Sequence, residues 1–420
     1  MKKNPNNYCE FLRYEGEDLF FEEKKCKDLA EQYGTPIYCY SMNEIRKKFI
    51  KLEQSLSKFK SSIFFAVKSN YNPSIISYLA NLGSGADVVS IGEIKLVLLS
   101  GIKPEKIVFS GVGKTEEEID FAVKKNIKQI NVESLEELDD IRKILNFRKK
   151  KVDISLRVNP DIDASTHQKI STGRSQDKFG IPYGQIEKIF EKFKDDKFIN
   201  LNGLAIHIGS QITKEKPFED AFKKLNNLIK ILKNKNYKID KVDLGGGIGI
   251  VYSGNNVISI ENYTKIVEKN FKEFSLELLF EPGRYLVGSS GILISKVVRV
   301  KHGEKNKFLI IDCAMNDLLR PSMYDSYHEI FPVRLQTSLI ESKYDVVGPI
   351  CESGDNFGKN RKLQKLKKND LIILSSVGAY GSSMSSYYNC RSPANEIIVN
   401  RQECYSSRKM ISTEKLYIKK

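Results

Sequence analysis

The chain has 420 residues, too many for one ordinary hydrophobic core, so two domains are expected. Hydrophobic residues make up 40% and charged residues 29%, which excludes a disordered polymer, and no apolar run is long enough to cross a bilayer. The net charge of +15 raises a nucleic-acid partner, but acids and bases are mixed, as in Glu191-Lys192-Phe193-Lys194-Asp195-Asp196-Lys197, so a solvated surface with neither nucleic acid nor membrane as partner is expected.

In chain order, Met1-Lys2-Lys3-Asn4-Pro5 is basic with no apolar stretch behind it, so no secretory signal is read and a cytoplasmic place is expected. The β-like piece Pro36–Tyr40 follows, and Ser41 with Glu44 opens a helix on which Glu44 and Lys48 stand one turn apart. One pattern then repeats: a short β-rich run ends in polar or glycine residues, and a helical stretch follows. The runs are Ser62–Asn70, Gly85–Ser90, Lys106–Gly111, Gln129–Val132, Asp153–Asn159, Leu204–Ser210, Lys241–Gly247 and Glu277–Arg284. Most have apolar centres, as parallel strands buried on both faces require. Thr115 with Glu118 and Ser134 with Glu137 fit the helix-start pattern S/T-x-x-E. These units predict a (β/α)8 barrel, whose usual size is about 250 residues; an open doubly wound sheet is the second reading.

After Arg284 the texture changes. Gly291–Lys301, Phe308–Asp312, Tyr344–Pro349, Leu371–Val377 and Glu396–Asn400 predict a mainly antiparallel β domain. The expected division is a barrel over 42–284 and a β domain over 285–420 that includes 1–41. The basic stretch Lys359–Lys368 reads as a loop between two strands. The seven cysteines (Cys9, Cys26, Cys39, Cys313, Cys351, Cys390 and Cys404) are scattered and never in C-x-x-C spacing. That argues against a disulfide framework and against a metal site.

Active sites of such barrels lie at the C-terminal ends of the strands. The rule selects Lys68, His207, Ser210, Gly245-Gly246-Gly247, Glu281 and Arg284, a set that suits a phosphorylated aromatic aldehyde. Lys68 could form a Schiff base, and its apolar flank Phe64-Phe65-Ala66-Val67 favours a nucleophilic amine over one merely snorkelling to solvent. The three glycines would let backbone amides approach a phosphate, though a tight turn explains them equally well. The dinucleotide fingerprint fails at Ile250, and Gly113-Lys114-Thr115 lacks the P-loop glycine, since position 108 is Val. Glu281 could face a pyridine nitrogen and keep the ring protonated, or be a structural acid paired with Arg284. His207, between Ile206 and Ile208, could stack on a flat ring or be a core residue.

Seven motifs stand in one order along nearly the whole chain: FFAVKSN around Lys68, HIGSQ from His207, GGG from Gly245, EPGR from Glu281, MNDLLRPSMYDSYH from Met315, GPICESGD from Gly348 and GAYG from Gly378. With them the sequence resembles the alanine-racemase-like, fold-type III family of pyridoxal-phosphate enzymes, and within it the diaminopimelate decarboxylases. The resemblance implies pyridoxal 5'-phosphate as cofactor, with Lys68, Cys351 and His207 as catalytic residues. Lys68 would hold the cofactor and His207 lie against its ring. Ser210, Gly247, Gly283 and Arg284 would bind phosphate and ring, and Glu281 the pyridine nitrogen. Arg284, Arg320, Tyr324 and Glu352 would meet substrate, and Tyr380 both cofactor and substrate. Cys351 would be the proton donor, entering from the partner subunit of a homodimer. The implied reaction converts meso-2,6-diaminopimelate to L-lysine and carbon dioxide, the last step of lysine biosynthesis. Two departures are Ser69, where the family often has Ala, and Cys313-Ala314, where Ala-Gly is usual. The alternatives are a relative acting on ornithine, arginine or carboxynorspermidine, or a non-catalytic homologue that still binds the cofactor.

Overall fold

Eight short strands with largely apolar sequences form one sheet: β1 (Ser61–Ala66), β2 (Gly85–Val88), β3 (Ile107–Phe109), β4 (Gln129–Val132), β5 (Val152–Asn159), β6 (Ile199–Ala205), β7 (Lys241–Asp243) and β8 (Glu277–Phe280). Each pairs in parallel with the next, and β8 pairs with β1. The last pairing closes a barrel and excludes the open doubly wound sheet. The coordinates are a computed structural model describing residues 4–164, 169, 172–254, 256–336, 340–408 and 411–416, so the first three residues of the basic start lie outside it. The chain forms two compact units, one of Lys48–Gly249 with Val257–Tyr285 and one of Met1–Lys47 with Ile250–Asn256 and Leu286–Lys420.

In the barrel unit a helix follows each of β1 to β7, from Pro73–Asn81 after β1 to Ile260–Phe271 after β7. The helix Lys216–Asn234 shows why they coat the sheet. Phe218, Ala221, Phe222, Leu225, Leu228, Ile229 and Leu232 recur every three or four residues and are all buried. The Thr115–Glu118 capping box forms in full. At Ser134 only half of it forms: the hydroxyl accepts from the Glu137 amide, but the Glu137 carboxylate accepts from the Glu133 amide and pairs with Lys114.

The strands differ from their sequence runs in one systematic way. β1 stops at Ala66, β6 at Ala205, β7 at Asp243 and β8 at Phe280. Lys68, His207, the three glycines, Glu281 and Arg284 therefore sit just past the strands, on turns that leave the ladder. β6 also begins five residues earlier than its apolar run, because polar residues there are satisfied laterally. Asn200 Nδ2 donates to Asp153 Oδ1 on β5 at 2.5 Å.

The second unit is built on the long strand Gly291–His302, which pairs antiparallel with Lys307–Ile311, Leu371–Leu374 and Ile37–Ser41. Two parallel pairings occur, Lys307–Ile311 with Glu341–Val347 and Ile37–Ser41 with Asn395–Asn400. The N-terminal residues share its core: Leu12, Leu19, Phe21 and Leu29 pack with Ile292, Ile294, Ile373 and Ile397. One expectation is corrected. Asn356–Gln364 is a strand, antiparallel to Glu341–Val347, so most of the basic stretch taken for a loop is sheet. Its lysines line an exposed edge strand, where charge blocks further pairing.

Two backbones cross closely here. A Cβ on Gly378 would lie 1.8 Å from the Val287 carbonyl oxygen, and one on Gly291 would lie 2.4 Å from Gly378 Cα. The obstacle is main chain and cannot rotate away. Gly378→Ala is expected to destabilise by about 3 kcal/mol or more, measured by chemical denaturation. Gly184→Ala, which meets nothing within 4 Å, is expected to stay within about 0.5 kcal/mol of the unsubstituted protein.

Candidate active site

At the C-terminal mouth of the barrel, Lys68 rides a single 3-10 turn, Val67–Ser69, that leaves β1. The Ser69 hydroxyl donates to the Ala66 carbonyl at 2.7 Å, so the departure from the family's alanine closes this turn. Gly283 makes room for it, since a Cβ there would meet Ser69 and Ala66 side chains at 3.0 and 3.2 Å. Lys68 Nζ lies 2.6 Å from Oδ2 of Asp87, on β2, which is wholly buried. The other Asp87 oxygen is buried with no hydrogen-bond partner among the described residues. Nearby, Glu93 on the following helix is pushed up to about 7, chiefly by burial, against the opposing pull of the Val89 amide and Lys68.

The glycine turn after β7 touches both neighbouring strand ends. Gly245 and Gly247 have φ of +64° and +103°, which glycine adopts freely. A Cβ on Gly246 would lie 2.3 Å from the Glu281 carbonyl oxygen, and one on Gly247 2.6 Å from that of Gly209. The Gly246 amide donates to Nδ1 of His207 at 3.2 Å. With Nδ1 an acceptor, the proton of a neutral His207 sits on Nε2. Burial, followed by the charges of Arg157 and Lys68, holds His207 well below its ordinary pKa, so the ring is neutral. After β8, Arg284 Nη2 donates to Ser210 Oγ at 3.1 Å. Glu281 is buried too, but its partners are Ser110 and Asn131, both at 3.3 Å, rather than Arg284. Burial and the charges of Asp243 and Asp87 raise its pKa well above the carboxylate range, and Lys68 opposes them. One amine thus acts electrostatically on both His207 and Glu281, and these residues share one mouth.

The remaining candidates belong to the second unit. Arg320 is 4% exposed; its Nη1 donates to Nε2 of His328 at 2.9 Å, its Nη2 donates to Ser326 Oγ at 3.2 Å, and its guanidinium lies over the Tyr252 ring. Nδ1 of His328 lies 2.8 Å from the Ser375 carbonyl, which fixes the tautomer that accepts from Arg320. Tyr324 ends the same short helix, Arg320–Tyr324. Cys351 and Glu352 are exposed on a loop closed by Asp355, whose carboxylate accepts from the amides of Met315 and Ile350, both at 2.7 Å. The Tyr388 hydroxyl donates to Glu352. Tyr380, partly buried, has a left-handed backbone with φ +56°. Sequence reasoning passed over Asp87, Ser110, Asn131, Asp243, His328 and Asp355. Three of them, Asp87, Asn131 and Asp243, were visible as polar residues inside otherwise apolar strand runs.

The barrel donors fit pyridoxal phosphate. They offer an amine for the aldehyde, a buried acid for the ring nitrogen, a neutral imidazole for the ring face, and a glycine turn free of Cβ atoms for phosphate. Fold and site together define a pyridoxal-phosphate enzyme of the barrel type. The family model for the pyridoxal binding domain of pyridoxal-dependent decarboxylases matches residues 42–288. The diaminopimelate decarboxylase of Zymomonas mobilis is 41% identical over 403 residues, 95% of each chain. That of Vibrio cholerae is 41% identical over 399 residues, again 95% of each. The crystal structure of diaminopimelate decarboxylase from Helicobacter pylori complexed with L-lysine superposes with a TM-score of 0.89 at 40% identity, covering 93% of this chain and 98% of that one. The chain belongs to the diaminopimelate decarboxylase family. Among its described residues no helix is long and apolar enough to cross a membrane.

Proposed function

We propose that this chain decarboxylates meso-2,6-diaminopimelate to L-lysine and carbon dioxide, with the cofactor held by the segment 42–284. The observation that carries the reading is the meeting of Lys68, His207 and Glu281 at one barrel mouth beside the glycine turn. Bound pyridoxal phosphate supplies an electron sink for the pair of electrons left when carbon dioxide departs. Lys68 holds the cofactor covalently, and Asp87 fixes the amine's position. Neutral His207 covers the ring without adding a charge. Glu281 answers the ring nitrogen, while Ser210, Gly247, Gly283 and Arg284 take the phosphate and the ring edge. Tyr380 reaches the cofactor and the substrate.

Selectivity follows from the far end of the substrate, which carries a carboxylate and an ammonium. Arg284 and Arg320 would answer the first and Glu352 the second, and Tyr324 is assigned to the substrate as well. Ornithine has no distal carboxylate, so the same arginines would bury unanswered charge against it. The pre-set fork of Arg320, held by His328 and Ser326, supports this role. Arg320→Lys keeps the charge but loses the fork, so KM for diaminopimelate should rise by about 10–100-fold with a smaller change in kcat. Release of carbon dioxide from a panel of diaminopimelate, ornithine, arginine and carboxynorspermidine, with added cofactor, tests the reading. Only diaminopimelate should turn over rapidly; turnover of ornithine at a comparable rate would refute it.

The same proposal includes a cytoplasmic homodimer whose Cys351 serves the partner's site. Exposure of Cys351 and Glu352 on the surface of their own unit supports that arrangement.

A further inference from the structure

The barrel interior holds a polar network to which the roles above assign nothing. Asn131, on β4, is 2% exposed, and Asp243, the last residue of β7, is 1% exposed. Gln129 Nε2 donates to Asn131 Oδ1 at 2.6 Å, which fixes the amide so that its Nδ2 faces the acids. That Nδ2 lies 2.9 Å from Asp243 Oδ2, 3.1 Å from Ser110 Oγ and 3.3 Å from Glu281 Oε1. The Gly245 amide donates to the other Asp243 oxygen at 2.9 Å. Asp243 and Glu281 thus meet at one amide nitrogen, both buried. Two buried carboxyl groups held this close cannot both ionise readily, so one of them keeps a proton.

The donors decide which one. Asp243 receives two short bonds, one from a backbone amide that cannot turn away. Glu281 receives only two long ones. Donors that favour the charged form therefore select Asp243 as the anion and leave the proton on Glu281. The selection rests on these donors and not on the surrounding charges: Asp87 on β2 disfavours ionisation of both acids alike, and Lys68 opposes the proton on Glu281. The Tyr263 hydroxyl, on the helix after β7, is itself kept protonated by burial and the Asp243 charge.

We infer that Asp243 is a positioning residue for Glu281: as the standing anion of a one-proton pair it keeps Glu281 in its acid form, and Glu281 passes that proton to the ring nitrogen of pyridoxal phosphate on binding. The inference rests on the functional reading above. The step is balanced. The Glu281 O–H bond breaks, an N–H bond forms, Glu281 becomes the carboxylate that pairs with the pyridinium, and Asp243 stays charged throughout. The standing charge raises the proton affinity of the whole Glu281–nitrogen pair, so the ring stays protonated at a pH where a lone carboxylate would hold it less firmly. In cofactor-free protein the sign is that of a raised acid: its contribution to stability is present below the unfolded-state pKa and is lost as pH rises through the folded-state value.

Infrared difference spectroscopy reads the proton directly, through the carbonyl stretch of a buried carboxylic acid. Cofactor-free protein at about pH 7.5, above the usual carboxylate range, should show this band. Glu281→Gln should abolish it, and pyridoxal phosphate should bleach it in the unsubstituted protein as the proton leaves. In Asp243→Asn the band should persist but titrate away about 1–3 pH units lower. A band lost in Asp243→Asn and kept in Glu281→Gln would place the proton on the wrong acid and overturn the inference. A band unchanged by bound cofactor would overturn the transfer. Should Asp243→Asn fail to fold, the Glu281→Gln comparison still decides between the two acids. Failure to take up pyridoxal phosphate at all would refute the functional reading, whereas the band in cofactor-free protein judges the pair independently.

Discussion

Lys68→Ala is expected to remove the covalently bound cofactor band from the visible spectrum and to lower kcat by on the order of a thousand-fold or more. That is about 4 kcal/mol of barrier at about 1.36 kcal/mol per tenfold. The size follows from the residue's position. The charge of this one amine bears on both His207 and Glu281. Its deletion also leaves Asp87 buried at the mouth without its 2.6 Å cation, so some stability is lost with it. Lys68→Arg separates the two effects. Arginine can keep an ion pair with Asp87 but does not condense with an aldehyde at ordinary pH, so folding should recover while the covalent band and turnover stay absent. Absorbance after cofactor addition, denaturation midpoints and carbon dioxide release together make the measurement. A Lys68→Ala protein with the band and full turnover would sink the assignment.

The barrel was legible because its signal is periodic and repeated. Apolar runs such as GADV and KIVF alternate with capped helices, and once several units are in place closure is the economical arrangement. What was not legible is where each strand lets go. The run LAIHIGS reads as continuous β structure, yet β6 ends at Ala205, because the chain must turn to place His207 beneath the Gly246 amide. Apolar content does not report that turn; hydrogen bonds from a neighbouring loop decide it. The edge strand Asn356–Gln364 was missed for a related reason. Its pattern is mostly lysine, asparagine and arginine, and only the register with Glu341–Val347 makes it a strand.

The site divides in the same way. Lys68, Glu281 and Arg284 stand out by residue type at strand ends, so a rule about barrels finds them. Asp87 pairs with Lys68, and Asn131 joins Asp243 to Glu281, but each looks like a minor blemish in an apolar run. Their meaning comes from contacts between strands over a hundred residues apart, such as Asn131 with Asp243. His328 gives the long motif MNDLLRPSMYDSYH its length. The motif starts at Met315, whose amide is tied to Asp355, and ends at the histidine that orients Arg320.

Cys351→Ala should lower kcat by about 10²–10⁴, the usual span for loss of a positioned general acid, with KM much less affected. In the proposed reaction the thiol would return a proton to the carbon from which carbon dioxide has left, so its removal would strand the reaction after the bond has broken. Product made slowly in heavy water should then carry deuterium without stereochemical preference, because solvent replaces a fixed donor. Cys351→Ser should rescue little, since an alcohol is a far weaker acid than a thiol. The fold should be indifferent: Cys351 is exposed, and the loop is held by the Asp355 carboxylate and the Gly348 amide, so the denaturation midpoint should barely move. If the thiol acts across a two-fold interface, Lys68→Ala and Cys351→Ala, each inactive alone, should regain activity when mixed and allowed to exchange subunits. Random pairing puts half the dimers in the mixed form, each with one intact site, so recovery should approach about a quarter of the unsubstituted rate. No recovery, with exchange verified by mass, would place Cys351 in the site of its own chain.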